Sequence, residues 1–283
     1  MKKIIPALPL VFISVLLGGQ APFPGRNEIK QFTSSKTCVV LEDDDFSFFN
    51  SFIKKAMKAY WTLTPYEFID HDEFSRRRNK PDYSFIMLTE TTVDRDKSNS
   101  AFNFLNLVQG KNVRNINDMP EICALPLSCA SEDDLDYGYK LGAFLLFMQK
   151  HAMLIIEDPT KTGRRYLRFY NENIPQLVGR KILARQEDLS RTVGDIDKIR
   201  AIYSGEFEIV TEEEIVKAIE TKTPGTVVLH KVAPAGDVSE GYCFKMLIGT
   251  DDATMYYYNS HAIDQMNPNG LLPADLKRLA RFN

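Results

Sequence analysis

Four consecutive carboxylates, Glu42, Asp43, Asp44 and Asp45, follow a short β-branched run at residues 37–41 and precede an apolar stretch with helical spacing. Carboxylates at the carboxyl end of a strand in an α/β sheet stand where the ligands of such sheets usually bind. Two or three carboxylate oxygens can hold a divalent cation such as Mg²⁺ or Ca²⁺, and Asp43 and Asp45 are the candidate metal ligands. The plainer reading is structural: Asp44 or Asp45 caps the following helix, and the neighbouring charges favour its positive end.

The remaining reactive side chains are sparse. Cys123 and Cys129 flank Pro126 in one short segment, which makes them a candidate local disulfide. Cys38 and Cys243 lie within apolar, strand-like runs and read as buried free thiols. No CxxC pair is present, so neither a thioredoxin-type redox site nor a zinc knuckle is indicated. His71, His151, His230 and His261 show no metal-ligand spacing. A Cys243 nucleophile with His230 or His261 as base could assemble from distant positions. Its mid-strand place argues against that, because reactive thiols sit exposed in electropositive settings. GxSxG, P-loop and GxGxxG patterns are all missing. Tyr256, Tyr257 and Tyr258 would put rings on both faces of one strand. Exposed, they would bind a glycan or a protein; buried, they are ordinary strand packing.

The elements that must position these residues recur in one order, twice. Strands are predicted at 37–42, 66–70, 83–89, 101–108 and 122–130, with helices at 46–60 and 71–78. The second pass places strands at 181–185, 207–211, 226–232, 242–248 and 254–259, with helices at 193–203 and 212–221. Thr211 followed by Glu214 is a capping box for the last of these helices. The fold class is therefore α/β (α+β): two similar small mixed-sheet units, each β-α-β-α-β-β-β, the product of a duplication. A long core helix at 136–158 closes the first unit, which spans 22–158. A basic amphipathic linker helix at 160–174 lies within the connecting segment 159–179, and the second unit spans 180–283, ending in a helix at 273–282.

Residues 1–21 have the order of a secretory signal peptide: Lys2 and Lys3, an apolar run to Leu17, then Gly18, Gly19, Gln20 and Ala21. The run is about 14 residues, short of the roughly 20 that span a bilayer. Pro6 and Pro9 also oppose a stable anchor, and the first cysteine, Cys38, is too distant for a lipid-modified terminus. The expected location is periplasmic or secreted, with no transmembrane span in the mature chain. Lys and Arg number 35 against 38 Asp and Glu, a net charge of −3. Without a basic patch, the electrostatic term for nonspecific nucleic-acid binding is missing.

In element order the stretch 37–153 resembles the small α/β domain at the amino end of the Tol-system propeller protein and of curli-secretion-like envelope proteins. The resemblance implies a mixed sheet with helices on one side and transfers no functional residue. The phrases at 60–68 and 115–120 are similar to a family of uncharacterised exported proteins of anaerobic Gram-negative bacteria, which implies export and no known activity. The run after the first strand is also similar to the strand-then-Asp-x-Asp pattern of aspartyl phosphotransferases, which Asp43 and Asp45 would imitate. The functional expectation is a non-enzymatic envelope or secreted protein that binds another envelope protein and needs no cofactor. The alternatives are a metal-dependent hydrolase or phosphotransferase using residues 42–45, with a divalent cation, and a glycan-binding protein.

Overall fold

Two units, each built on a five-stranded sheet with the same strand order, account for most of the chain, in a computed structural model that describes residues 22–44, 47–94, 96–163 and 166–282. The predicted signal segment 1–21 and Asp45 lie outside the described residues. The first unit runs α1 (Arg26–Ser34), β1 (Lys36–Val40), α2 (Phe48–Tyr60), β2 (Tyr66–Ile69), α3 (His71–Arg77), β3 (Tyr83–Thr92), β4 (Ala101–Gln109) and β5 (Glu121–Cys129), closed by α4 (Asp134–Tyr137) and α5 (Lys140–Glu157). The second runs β6 (Lys181–Ala184), α6 (Ile196–Arg200), β7 (Phe207–Ile209), α7 (Glu212–Glu220), β8 (Thr226–Val232), β9 (Gly241–Gly249), β10 (Met255–Ile263) and α8 (Pro273–Leu279). Strand order is β2-β1-β3-β4-β5 in one sheet and β7-β6-β8-β9-β10 in the other. In each, the first three strands are parallel and the last two antiparallel.

The similarity of the two units extends to register. Lys36 pairs with Tyr83 and Lys181 with Thr226, which aligns the two units residue by residue. On that alignment the ion pair Lys36–Glu67 (3.1 Å) matches Lys181–Glu208 (2.7 Å). The last strand carries a bulge at the same place in both sheets. Leu107 faces Cys123 and Val108 faces Glu121, skipping Ile122; Leu247 faces Tyr257 and Ile248 faces Met255, skipping Tyr256. Bulges fix register and bend a strand, so a shared one makes the two sheets alike in shape as well as in element order.

Helix chemistry follows the local sequence. Ser47 caps α2 by accepting the Asn50 N–H, and Phe49, Ile53, Ala56 and Met57 form its buried stripe. Thr211 and Glu214 cap α7 reciprocally. The 18-residue α5 buries Leu141, Phe144, Leu145, Met148, Ala152 and Ile155 in the larger core. No described helix is long and apolar enough to cross a membrane.

Several details differ from the sequence reading. The helix cap before Phe48 is Ser47, not Asp44, because Ser47 immediately precedes the first helical residue. The predicted helix at 193–203 shrinks to Ile196–Arg200, since Asp195 caps it and starts it late. Arg26–Ser34 forms a helix that its mostly polar composition hid, burying only Ile29 and Phe32. Cys123 and Cys129 are free thiols at opposite parts of β5. Six residues of extended chain separate them by about 20 Å, far beyond the roughly 7 Å limit for a disulfide.

The linker at 160–174 is not a regular α-helix but a 3-10 segment, Tyr166–Leu177, containing Pro175. Its side chains seal the outer edges of both sheets. Tyr166 Oη accepts the Ala124 N–H at 2.5 Å and donates to the Ala124 carbonyl at 3.2 Å. Asn171 does the same for Tyr258, accepting its N–H at 2.7 Å and donating to its carbonyl at 3.0 Å, while Asn173 donates to the Met255 carbonyl. Ala124 and Tyr258 are equivalent positions of the two units, each one residue beyond the aligned Cys123 and Tyr257. An unpaired edge strand is a template for unwanted pairing, and one connecting segment blunts both. The units also pack directly, with the Phe244 ring edge-on to Phe102 (5.4 Å) and Phe104 (5.7 Å).

Candidate functional site at the carboxyl ends of the two sheets

Crossovers from β1 and from β6 leave toward one neighbour and return past it to the other, so each sheet reverses its winding beside its first strand. In open α/β sheets the crevice outside that reversal is where ligands bind. The carboxylates 42–44 follow β1 there, and residues 185–188 occupy the corresponding place after β6.

In the first unit Asn50 holds the loop shut. Its Oδ1 accepts the Glu42 N–H at 2.9 Å, and its Nδ2 donates to the carbonyls of Glu42 (2.9 Å) and Asp44 (3.2 Å). Asp43 is exposed on this loop. Among the described residues no three His, Cys, Asp or Glu side chains group as metal ligands.

In the second unit the corresponding loop is an ion network. Arg185 reaches Glu212 at 2.7 Å, Glu187 at 3.2 Å and the buried Asp188 at 3.2 Å, and Lys231 donates to the Glu187 carbonyl. The α4–α5 junction of the first unit packs against this end of the second sheet. Tyr139 packs on the cluster of Leu183, Ile215 and Val228, and its ring stacks 6.5 Å from His230. Phe144 meets His230 edge-on at 5.3 Å. Lys140 is buried, and its Nζ donates to the Leu127 carbonyl at 3.3 Å. Burial lowers the Lys140 pKa and raises that of Glu132, whose charge lies close to it. Neither ring nitrogen of His230 has a partner, and burial, then the charges of Lys140 and Arg185, push its pKa down to about 3. The imidazole is therefore neutral and buried.

The other groups with catalytic potential are equally muted. All four cysteines are buried. Burial raises Cys38 to about 11 and pushes Cys123 and Cys243 upward too, so thiol rather than nucleophilic thiolate prevails. The strand register sets Cys243 opposite His261, a pairing the sequence raised, but His261 Nε2 bonds the Pro268 carbonyl at 3.1 Å. Burial lowers His261 to about 4. His151 is similar: its Nδ1 bonds Tyr170 Oη at 2.8 Å, and burial lowers it to about 4. Tyr256 and Tyr257 are buried, their hydroxyls bonded to Asp252 and Asp275, so this strand carries no exposed aromatic strip.

Sequence reasoning missed Tyr139, Lys140 and Arg185. Lys140 opens the apolar run of α5, and a lysine on a helix that buries nearly every neighbour was the available signal. Arg185 directly follows a buried strand, where an unshielded cation would be costly without partners. Compared with protein-family models, with curated proteins and with solved structures, the chain matches none.

Proposed function

We propose that this protein is an exported, non-enzymatic module that works by binding another envelope protein. The observation that carries the reading is the packing beside this crevice: Tyr139 and Phe144 of the first unit stand against His230 near the carboxyl end of β8, with Lys140 buried next to them. A repeated sheet whose second crevice is bordered by the first unit offers surface to its surroundings rather than a reaction chamber. The buried thiols and neutral imidazoles point the same way, since nucleophiles and bases need access and matched pKa values. The amino-terminal sequence supports export, and the resemblance of 37–153 to envelope-protein domains agrees with it.

The test is the size of the native species. Gentle extraction of envelope and medium fractions from the cells that make the chain, followed by size-exclusion chromatography, should recover it with a second, different protein. Its mature amino terminus should begin just after residues 18–21. Elution as a lone monomer from every fraction contradicts binding, and an intact Met1 contradicts export.

A further inference from the structure

We infer that the face formed by the carboxyl ends of both sheets docks a basic segment of a partner protein that carries apolar anchors. The inference rests on the binding-module reading and names the surface and the chemistry of its occupant. Two large apolar side chains stand exposed on this face: Phe48, at the start of α2, is 49 % exposed, and Leu135, in α4, is 52 % exposed. They belong to one packed unit. Phe52, one turn after Phe48, lies flat against Gly138, three residues after Leu135. A Cβ on Gly138 would come within 2.3 Å of the Phe52 ring. The partly buried Phe52 thus joins the two exposed side chains into a continuous apolar ridge.

Carboxylates surround that ridge. Asp43 and Asp44 are exposed on the loop before α2, and Asp133 and Asp136 are exposed on either side of Leu135. The amino end of α7 adds Glu213 and Glu214 at the same end of the molecule. Both helices run back from the carboxyl ends of their sheets, side by side. The Lys55–Glu220 pair (3.7 Å) and the Lys222 ammonium over the Tyr60 ring (5.3 Å) tie their far ends together. The nearby cations, Arg185 and Lys231, are spent on Asp188, Glu187 and Glu212. An apolar centre with a single-sign acidic rim is complementary to lysine or arginine flanking apolar side chains. It repels an acidic partner and steers a basic one. Exposed aromatic and aliphatic anchors in such a setting are where interface energy concentrates.

Site-specific photo-crosslinking in the native cells tests this directly. The crosslinking amino acid replaces Phe48 or Leu135 in one set of strains, and Met153 or Val178, exposed residues outside this face, in another. The expected result is a crosslinked partner from positions 48 and 135, absent from 153 and 178. Mass spectrometry should place the link in a segment rich in Lys or Arg with apolar residues between. Asp43→Lys with Asp136→Lys should cut the yield about tenfold, as expected when rim charges steer association, and circular dichroism should confirm an intact fold. Links only from 153 or 178 overturn this surface and leave the binding-module reading standing. A linked segment that is acidic or uncharged overturns the inferred partner chemistry. No crosslinked partner from any position removes both.

Discussion

One row of side chains crosses three strands at the same place in both units, and the units fill it in opposite ways. In the first it reads Leu88, Leu105, Leu125; in the second, Lys231, Lys245, Asn259. Leu105 and Leu125 are buried in the main core that α5 covers. Lys245 is just as buried but pairs with Asp275 of the seven-residue α8. That carboxylate also accepts from Tyr257 Oη, Asn259 Nδ2 and the Leu272 N–H. Burial alone would raise the Asp275 carboxyl, but Lys245 and these donors hold it below its usual range. A long apolar helix can be held by area. A short one with little area can be held in register by a single well-satisfied charge. The two units therefore share a backbone plan and differ in the means of closing each sheet.

Breaking that charge should have the largest effect. Asp275→Leu or Lys245→Met alone leaves an uncompensated buried charge and is expected to cost about 3–5 kcal/mol in urea denaturation. The double substitution should cost clearly less than the sum of the two, because the partners act as a pair. Additive costs would mean that α8 is held by packing, as α5 is.

Acid should weaken the protein through its buried histidines. His151, His230 and His261 have folded pKa values of about 4, 3 and 4, below the 6.5 of an exposed imidazole. Their contribution is full above pH 6.5 and is lost as pH falls, because only the unfolded chain binds the protons. Glu121, raised by burial to about 7, and Glu132, also raised by burial, act in the opposite direction. The net difference from pH 6.5 to 4.5 is about one to two protons taken up on unfolding. His230→Phe should lower that number by about one, as its two unpaired nitrogens serve no bond. Stability that rises between pH 6.5 and 4.5 would refute the assignment of neutral, buried imidazoles.

The sealed edges give a matched pair of smaller effects. Tyr166→Phe strips the Ala124 edge and Asn171→Ala the Tyr258 edge, and each should cost about 1–3 kcal/mol with faster amide exchange at the exposed residue. Similar losses at both would extend the symmetry of the units to their protection. A loss at one alone would restrict the seal to that sheet. Smaller still, Ser47→Ala and Thr211→Ala should each cost about 1 kcal/mol as helix caps. Finally, Asp43→Asn with Asp45→Asn should leave the melting temperature unchanged in Mg²⁺ or Ca²⁺. A metal-induced rise that this double variant abolishes would favour the metal-dependent alternative.

Most of the architecture was legible because strands and helices here follow their hydrophobic periods closely. β8 spans Thr226–Val232 as read from the sequence, and β4 exceeds its predicted span by one residue. The linker was not legible, because Arg164, Arg165 and Arg168 against Leu167 and Phe169 imitate an amphipathic helix. Its conformation is instead set by bonds from Tyr166, Asn171 and Asn173 to strands distant in sequence. The candidate site was legible only in part. The acidic loop announced itself, whereas the packing beside the second crevice brings Tyr139 and Lys140 against a sheet that begins some forty residues later, at Lys181. Such a contact has no local signature.

The most direct test of the central claim is affinity capture with the tagged mature chain from native envelope and culture-medium fractions, run beside a Phe48→Ser, Leu135→Ser variant of the same chain. The account predicts one stoichiometric partner on the wild-type chain and its loss from the variant. Clean negatives in both fractions would contradict it and turn attention to metal and phosphoester chemistry at Asp43.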